Sequence, residues 1–247
     1  MGERVVVVGL AVTGTAVARR LMAEGKAVVA VDDRPDDAVR RRAADLGVEL
    51  VEAPSPAELA ELAGEADLVV VSPGVPARHP VFALAGRAPL VSEVELAGRM
   101  ARAPIVAVTG TNGKTTVTTL VAEMLEASGR RALAAGNIGL PLVDAVRRDV
   151  DVLVAEVSSF QLQLTSTFRP RVAVWLNLAE DHLDWHPTMR HYVEAKARVW
   201  ANQSGADLAV ANADDALVWR AAAGAPAALA GFSLRSSALP RLPGRGQ

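Results

Sequence analysis

The chain predicts an α/β protein made of two parallel, helix-covered sheets in series. Three observations carry this: an all-valine run at residues 5–8 that turns through Gly9 into a helical stretch, a repetition of that strand-helix alternation down to residue 100, and a fresh start of it at Pro104. Runs that stay apolar, instead of alternating with polar residues, suit strands covered on both faces, as the strands of parallel sheets are.

Taken in order, VVVVG (5–9) reads as a strand, TGTAVARRLMAEG (13–25) as a helix and AVVAVDD (27–33) as a strand. A helix follows near 35–46, then a short strand VELV at 48–51, a helix after Ser55, and the strand LVVV ending at Ser72-Pro73-Gly74. PLVSEVELAGRM supplies a last short strand and helix, so a domain boundary is expected near 93–103. The second alternation gives strands at 105–109, 152–157, 172–178 and 208–211, and helices at 114–128, 188–202 and 214–223. After Gly231, SLRSSALPRLPGRGQ has no period of 2 or 3.6 and is rich in Pro, Arg and Gly, which predicts an unstructured tail.

A chain of 247 residues, 51% hydrophobic and 22% charged, is long and apolar enough to bury a core and excludes a disordered protein. No stretch stays apolar for 18 residues, and the N-terminal valine run is too short for a signal-peptide core, so a cytoplasmic protein with no membrane partner is expected. The absence of cysteine excludes disulfides, thiolate metal sites and cysteine nucleophiles. A net charge of -2 leaves no footprint for nucleic acid. Only Lys26, Lys114 and Lys196 are lysines; the other 23 cations are arginines. Where such a chain uses lysine, a primary amine that can lose its proton is a candidate requirement.

The strongest motif is Thr109-Gly110-Thr111-Asn112-Gly113-Lys114-Thr115-Thr116, between an apolar strand and an amphipathic helix. Glycines let backbone amides approach phosphate oxygens, the helix N-terminus attracts anions, Lys114 reaches the β/γ-phosphates and Thr115 offers a hydroxyl to magnesium. The spacing departs from GxxxxGKT, because position 108 is Val and the first glycine is Gly110. The first loop, Gly9 to Gly14, resembles a dinucleotide fingerprint with Ala11 in place of its second glycine, and Asp32-Asp33 follow the next strand; a tight turn without a ligand is its alternative. Glu156 ends one apolar strand and Asn177-Leu-Ala-Glu-Asp-His182 follows another, so both lie at the carboxyl edge where α/β sheets take ligands. A surface carboxylate is the bland reading of Glu156, a capping or packing role that of His182, and a solvated helix cation that of Lys196.

Together these residues resemble the Mur ligase superfamily, ATP-dependent ligases that build the cytoplasmic peptidoglycan precursor. The likeness covers residues 1 to about 232 and rests on GLAVTG, VDDR, VSPGVP, VTGTNGKTTVT, GNIGLP, EVSSFQL, NLAEDHLDWH, EAKARV and ANADD in that order. The SPGVP and SSFQL forms favour the D-glutamate-adding branch. The resemblance implies a Rossmann-like UDP-substrate domain over 1–93, an incomplete P-loop ATP-binding domain over 94–232, and a tail over 233–247. The uracil end of UDP-N-acetylmuramoyl-L-alanine would lie against Val12, Thr13, Asp32, Arg34 and Gly74, with Asp33 at a position that varies in the family. Gly110, Thr111, Asn112, Gly113, Lys114, Thr115 and Thr116 would cradle ATP. Thr115 and Glu156 would hold one magnesium and His182 with Lys196 the second, Lys196 being carbamylated. Asn137, Ser158 and Gln161 match substrate-contacting positions. Lys114, Glu156, His182 and Lys196 would thus be the catalytic set. The implied reaction moves a phosphoryl group from ATP to the lactyl-alanine carboxylate, and D-glutamate attacks the acyl phosphate.

Two departures from the family pattern stand out. Nothing corresponds to a third, C-terminal Rossmann-like domain, or to the adenine-contacting stretch that begins with His-Asn. The chain is therefore expected to be the first half of a ligase, monomeric and inactive or nearly so alone. Folylpolyglutamate synthase shares the central domain but lacks an N-terminal UDP-binding one, so residues 1–93 argue against it. A non-catalytic UDP-sugar-binding module remains an alternative, and a dehydrogenase would leave the phosphate loop without a task.

Overall fold

The computed structural model describes residues 3–84, 86, 88–182 and 185–235. It divides into two compact units, Met1–Leu96 and Ala97–Gln247.

Unit 1 carries β1 (Arg4–Val8), α1 (Val12–Ala23), β2 (Ala27–Asp32), α2 (Asp37–Leu46), β3 (Glu49–Glu52), α3 (Pro56–Gly64), β4 (Leu68–Val71), a 3-10 turn at Pro80–Leu84 and β5 (Leu90–Ser92), after which α4 (Glu93–Met100) begins. The strands are parallel in the order β3-β2-β1-β4-β5. Val5 to Val8 are no more than 2% exposed, as the unbroken apolar run requires. Strand order reverses between β1 and β4, which opens a crevice at their carboxyl ends. The Ser72 hydroxyl donates to the Gly9 carbonyl at 2.7 Å across that junction. Helix starts follow local chemistry: the Asp36 carboxylate accepts from the Val39 amide at 2.8 Å at the head of α2, and Ser55 with Glu58 forms a capping box on α3.

Gly14 sits where α1 crosses the turn that leaves β1. A Cβ there would lie 1.8 Å from the Gly9 carbonyl oxygen, a backbone atom that cannot swing aside. Gly14→Ala is expected to destabilise unit 1 by about 3 kcal/mol, read as a lower urea midpoint; an unchanged midpoint would contradict this packing.

Unit 2 carries β6 (Ile105–Thr109), α5 (Lys114–Ala127), β7 (Ala132–Gly136), α6 (Leu142–Ala145), β8 (Val152–Glu156), α7 (Ser159–Gln163), β9 (Val172–Trp175), α8 (Met189–Ala197), β10 (Leu208–Asn212), α9 (Ala216–Ala222) and β11 (Ala228–Phe232). Its parallel strands run β11-β10-β9-β6-β8-β7. With β6 between β8 and β9, three strand ends meet on one edge, and that edge receives Gly110, Glu156 and Asn177. Val108, Ala122, Ala132, Val154 and Leu176 form the core on the α5 side.

Several expectations need correction. β7 and β11 are absent from the sequence reading; their ALAAG and ALAGF are rich in Ala and Gly, residues poor in strand propensity, and sheet pairing overrides that preference. α6 and α7 are single turns with too few residues for a period to show. The helix expected at 188–202 ends at Ala197, that at 214–223 spans Ala216–Ala222, and the strand expected at 172–178 ends at Trp175. Within the expected tail, the Ser233 hydroxyl and the Leu234 amide both donate to Asp214, at 2.6 and 2.8 Å; residues 236–247 lie outside the described residues, as do Leu183 and Asp184 of the NLAEDHLDWH motif. Among the described residues no helix is long and apolar enough to cross a membrane.

Candidate functional site

An asparagine clamps the loop between β6 and α5. Asn177, just past β9, accepts from the amides of Thr111 and Asn112 at 3.1 and 2.9 Å through one oxygen, and its amide nitrogen donates to the Asn112 carbonyl at 3.0 Å. These bonds set the loop's shape. The amides opening α5, on Lys114, Thr115 and Thr116, have no partner within a helix and sit at its positive end. The Lys114 ammonium donates to the Thr111 carbonyl at 2.8 Å, so it lies over the loop.

Two of the expected site residues, Thr115 and Asn137, converge on the carboxylate of a third. Glu156 is 2% exposed; its Oε2 accepts from the Thr115 hydroxyl at 2.7 Å and its Oε1 from the Asn137 amide at 3.1 Å. Gly136 permits the approach: its φ is +102°, and a Cβ there would lie 2.4 Å from the Glu156 carbonyl oxygen. Ser158 and Gln161 are bonded to each other in the capping box that starts α7, the Ser158 amide donating to Gln161 at 2.9 Å and the Gln161 amide to Ser158 at 3.3 Å.

His182 and Lys196 are joined through Tyr192, a residue sequence reasoning passed over. Tyr192 precedes Lys196 by four positions, so both face the same side of α8. Its ring lies 4.8 Å under the Lys196 ammonium and 6.1 Å from the His182 ring, edge to face, and its hydroxyl is 3.2 Å from that of Thr111. Lys196 is 1% exposed and donates to the Gly110 carbonyl at 2.8 Å. Burial, reinforced by the charge of Lys114 and opposed by Asp181, holds its amine down at about 7. His182 adopts a left-handed backbone, φ +54°, with its amide donating to the Asp181 carboxylate at 2.8 Å and its ring 4.8 Å from Phe160. Such a conformation costs a non-glycine residue roughly 1 to 2 kcal/mol and collects where function demands it.

In unit 1 the expected residues lie at the carboxyl ends of β1, β2 and β4. Val12 opens α1 and is 62% exposed, an unusual place for a bare valine. Ala11 provides α1 with no side-chain cap. Asp32 accepts from the Leu10 amide at 3.0 Å and the Arg34 amide at 3.1 Å, tying the first loop to the end of β2. Asp33 pairs with the buried His79 at 3.0 Å, while the other ring nitrogen of His79 accepts from the Val81 amide. The Arg34 side chain and Gly74 are exposed, and Thr13 is half-buried.

Comparison with known proteins places these features in one family. The Mur ligase middle domain matches residues 108–241 and the Mur ligase MurD-like N-terminal domain residues 3–91. UDP-N-acetylmuramoylalanine--D-glutamate ligase of Trichlorobacter lovleyi is 47% identical over 238 residues, covering 94% of this chain and 53% of that protein. The enzyme of the same name from Pelotomaculum thermopropionicum is 47% identical over 241 residues, with 94% and 52% covered. The chain thus spans about half the length of the curated relatives it matches. Among solved structures, UDP-N-acetylmuramate:L-alanyl-gamma-D-glutamyl-meso-diaminopimelate ligase of Neisseria meningitides shares the fold with TM-score 0.62 at 19% identity, over 94% of this chain and 78% of that one. UDP-N-acetylmuramate-alanine ligase of Thermotoga maritima does so with TM-score 0.54 at 22% identity, over 96% and 53%. On the two domain matches and their order along the chain, this protein belongs to the Mur ligase family.

Proposed function

We propose that the protein serves an ATP-dependent ligase reaction in peptidoglycan precursor synthesis, in which the carboxylate of UDP-N-acetylmuramoyl-L-alanine takes the γ-phosphoryl group of ATP and the acyl phosphate is attacked by D-glutamate. The observation that carries this reading is the meeting of the Thr115 hydroxyl and the Glu156 carboxylate at 2.7 Å beside the first turn of α5. A hydroxyl and a carboxylate are the hard oxygen donors that magnesium takes beside a nucleotide. Among the described residues no cluster of three or more His, Asp or Glu side chains could hold a metal, so the other ligands would be phosphate oxygens and water. Magnesium, when bound, would offset phosphate charge and polarise the transferring group.

The chain's own groups divide the remaining work. The opening amides of α5 orient the phosphates, Lys114 leaves Thr111 to meet the β/γ-phosphates, and Asn137 fixes the rotamer of Glu156. Lys196, buried with its amine near neutrality, is available to become a carbamate, which would give a second magnesium an oxygen ligand beside His182. Arginine has no equivalent chemistry, which gives a lysine at this position a purpose. Unit 1 recognises the uridine end, with Val12 and Thr13 offering an apolar face and a hydroxyl, and Asp32, Arg34 and Gly74 the polar rim. No described residue is assigned to D-glutamate. The same reading makes the protein a cytoplasmic monomer.

A competition titration tests the unit 1 assignment. UDP-N-acetylmuramoyl-L-alanine should bind, UDP more weakly, and NADH more weakly than UDP; NADH binding tighter than UDP would overturn it. The loop assignment has its own test: Asn177→Ala removes the three side-chain bonds to Thr111 and Asn112 while keeping the bond from the Thr111 amide to the residue 177 backbone carbonyl, and should speed amide exchange at Asn112 at least about tenfold, an opening of about 1.4 kcal/mol. Unchanged protection there would show that Asn177 does not hold the loop.

A further inference from the structure

We infer that unit 2 carries a second anion site, on the sheet edge opposite the phosphate loop, shaped for a small phosphoryl dianion. A cavity of about 330 Å³ there is lined by Arg102, Arg169, Arg171 and Asp207, with Pro104 and Ile105 beside them. Ile105 is the first residue of β6, Arg171 immediately precedes β9 and Asp207 immediately precedes β10. The strands run about 3.3 Å per residue, so the length of a five-residue strand separates this edge from Gly110 and Asn177, and none of the reaction chemistry proposed above uses it.

Two of the arginines, Arg169 and Arg171, are placed by one buried carboxylate. Asp207 is 4% exposed and accepts from Arg169 Nε at 2.8 Å, Arg171 Nη1 at 3.2 Å and the Ser204 amide at 2.8 Å. Arg169 Nη2 donates in addition to the Ser204 hydroxyl at 2.7 Å. Burial alone would raise the carboxyl; the bonds from Arg169, Ser204 and Arg171 outweigh it and hold the group at about 2, so it is an anion across the whole physiological range. Both guanidiniums are nonetheless about half exposed, with side-chain exposures of 49% and 56%, and keep donor edges unspent.

A structural ion pair needs one cation for one carboxylate. Here three guanidiniums line a cavity with one carboxylate, and Arg102 makes no hydrogen bond or ion pair among the described residues. The pocket therefore presents uncompensated positive charge, with the forks of Arg169 and Arg171 fixed in direction by Asp207 and Ser204 and that of Arg102 free of any described partner. Guanidinium forks match the oxygens of a phosphoryl group in pairs, and the cavity admits such a group with a small organic substituent.

The test titrates inorganic phosphate and glycerol 3-phosphate, in separate arms, into the Lys114→Ala chain, whose phosphate loop is disabled. At least one of the two should bind with one-to-one stoichiometry, and the arm that binds more tightly tells free from esterified phosphate. Arg102→Gln on that background should weaken binding at least about threefold without moving the unfolding midpoint, since Arg102 supports no other described residue. Adding Arg171→Gln should bring the loss to at least about tenfold. Binding of neither probe, or binding indifferent to Arg102→Gln and Arg171→Gln, would overturn the site.

Discussion

Lys114→Ala is expected to weaken magnesium-ATP binding at least about 100-fold while leaving the fold intact. The ammonium makes a single described contact, with the carbonyl of Thr111 in its own loop, so its removal strips little from the core. In the proposed complex it faces the most highly charged part of the nucleotide. A charge-assisted hydrogen bond contributes roughly 1.5 to 3 kcal/mol net, and a unit charge pair at 4 Å in partly screened surroundings about 4 kcal/mol before desolvation. A 100-fold loss is about 2.7 kcal/mol, inside that range. The backbone amides of α5 cannot compensate, because their dipole acts as only about half a charge. Calorimetric titration of both chains checks this, and equal affinities would remove the phosphate loop from the proposal.

Lys196→Met is expected to stabilise the chain at low pH and to abolish carbamate formation. An amine held at about 7 in the fold against 10.5 in the open chain is a depressed base, so between those values the unfolded chain holds more protons. Stability of the wild type therefore rises as pH climbs from 7 toward 10.5, and the burden of the buried charge is full below pH 7, on the order of 5 kcal/mol. Methionine fills a similar space without the charge but forfeits the bonds to Gly110 and the Tyr192 ring. A net gain of about 2 kcal/mol at pH 6, shrinking as pH rises, is the expected result in denaturant titrations. A difference independent of pH would show that Lys196 is not the group responsible. In labelled carbon dioxide with magnesium, a carbamate resonance should be present in the wild type and missing in Lys196→Arg; its persistence in the variant would place the carbamate elsewhere.

Much of this arrangement is legible in the residues, and the exceptions have physical causes. Residues 5–8 and 105–109 declare buried parallel strands because nothing in them needs water, and the glycine-rich stretch before Lys114 declares a strand-to-helix turn. β7 and β11 are hidden because alanine and glycine carry no strand preference of their own and are recruited by neighbours distant in sequence. Asn177 illustrates the harder limit: it lies 66 residues beyond Thr111, and an asparagine at a strand end signals a turn more readily than a clamp on another loop. Tyr192 carried a usable signal, four positions ahead of a rare lysine on one helix. Ser158 and Gln161 had one as well, since Ser-x-x-Gln at a helix start spells a capping box. The arginine cavity had none, because Arg102 stands about seventy residues from Arg171 and only the sheet brings them together.

The proposal requires two nucleotide ligands to be held by one chain at once, a uridine diphosphate sugar by unit 1 and magnesium-ATP by unit 2. Native mass spectrometry of the 247-residue chain with UDP-N-acetylmuramoyl-L-alanine, ATP and magnesium counts them directly. The expected spectrum contains a ternary complex, which loses ATP but keeps the UDP-sugar in Lys114→Ala. Binary complexes alone at every concentration, with one ligand displacing the other, would contradict it.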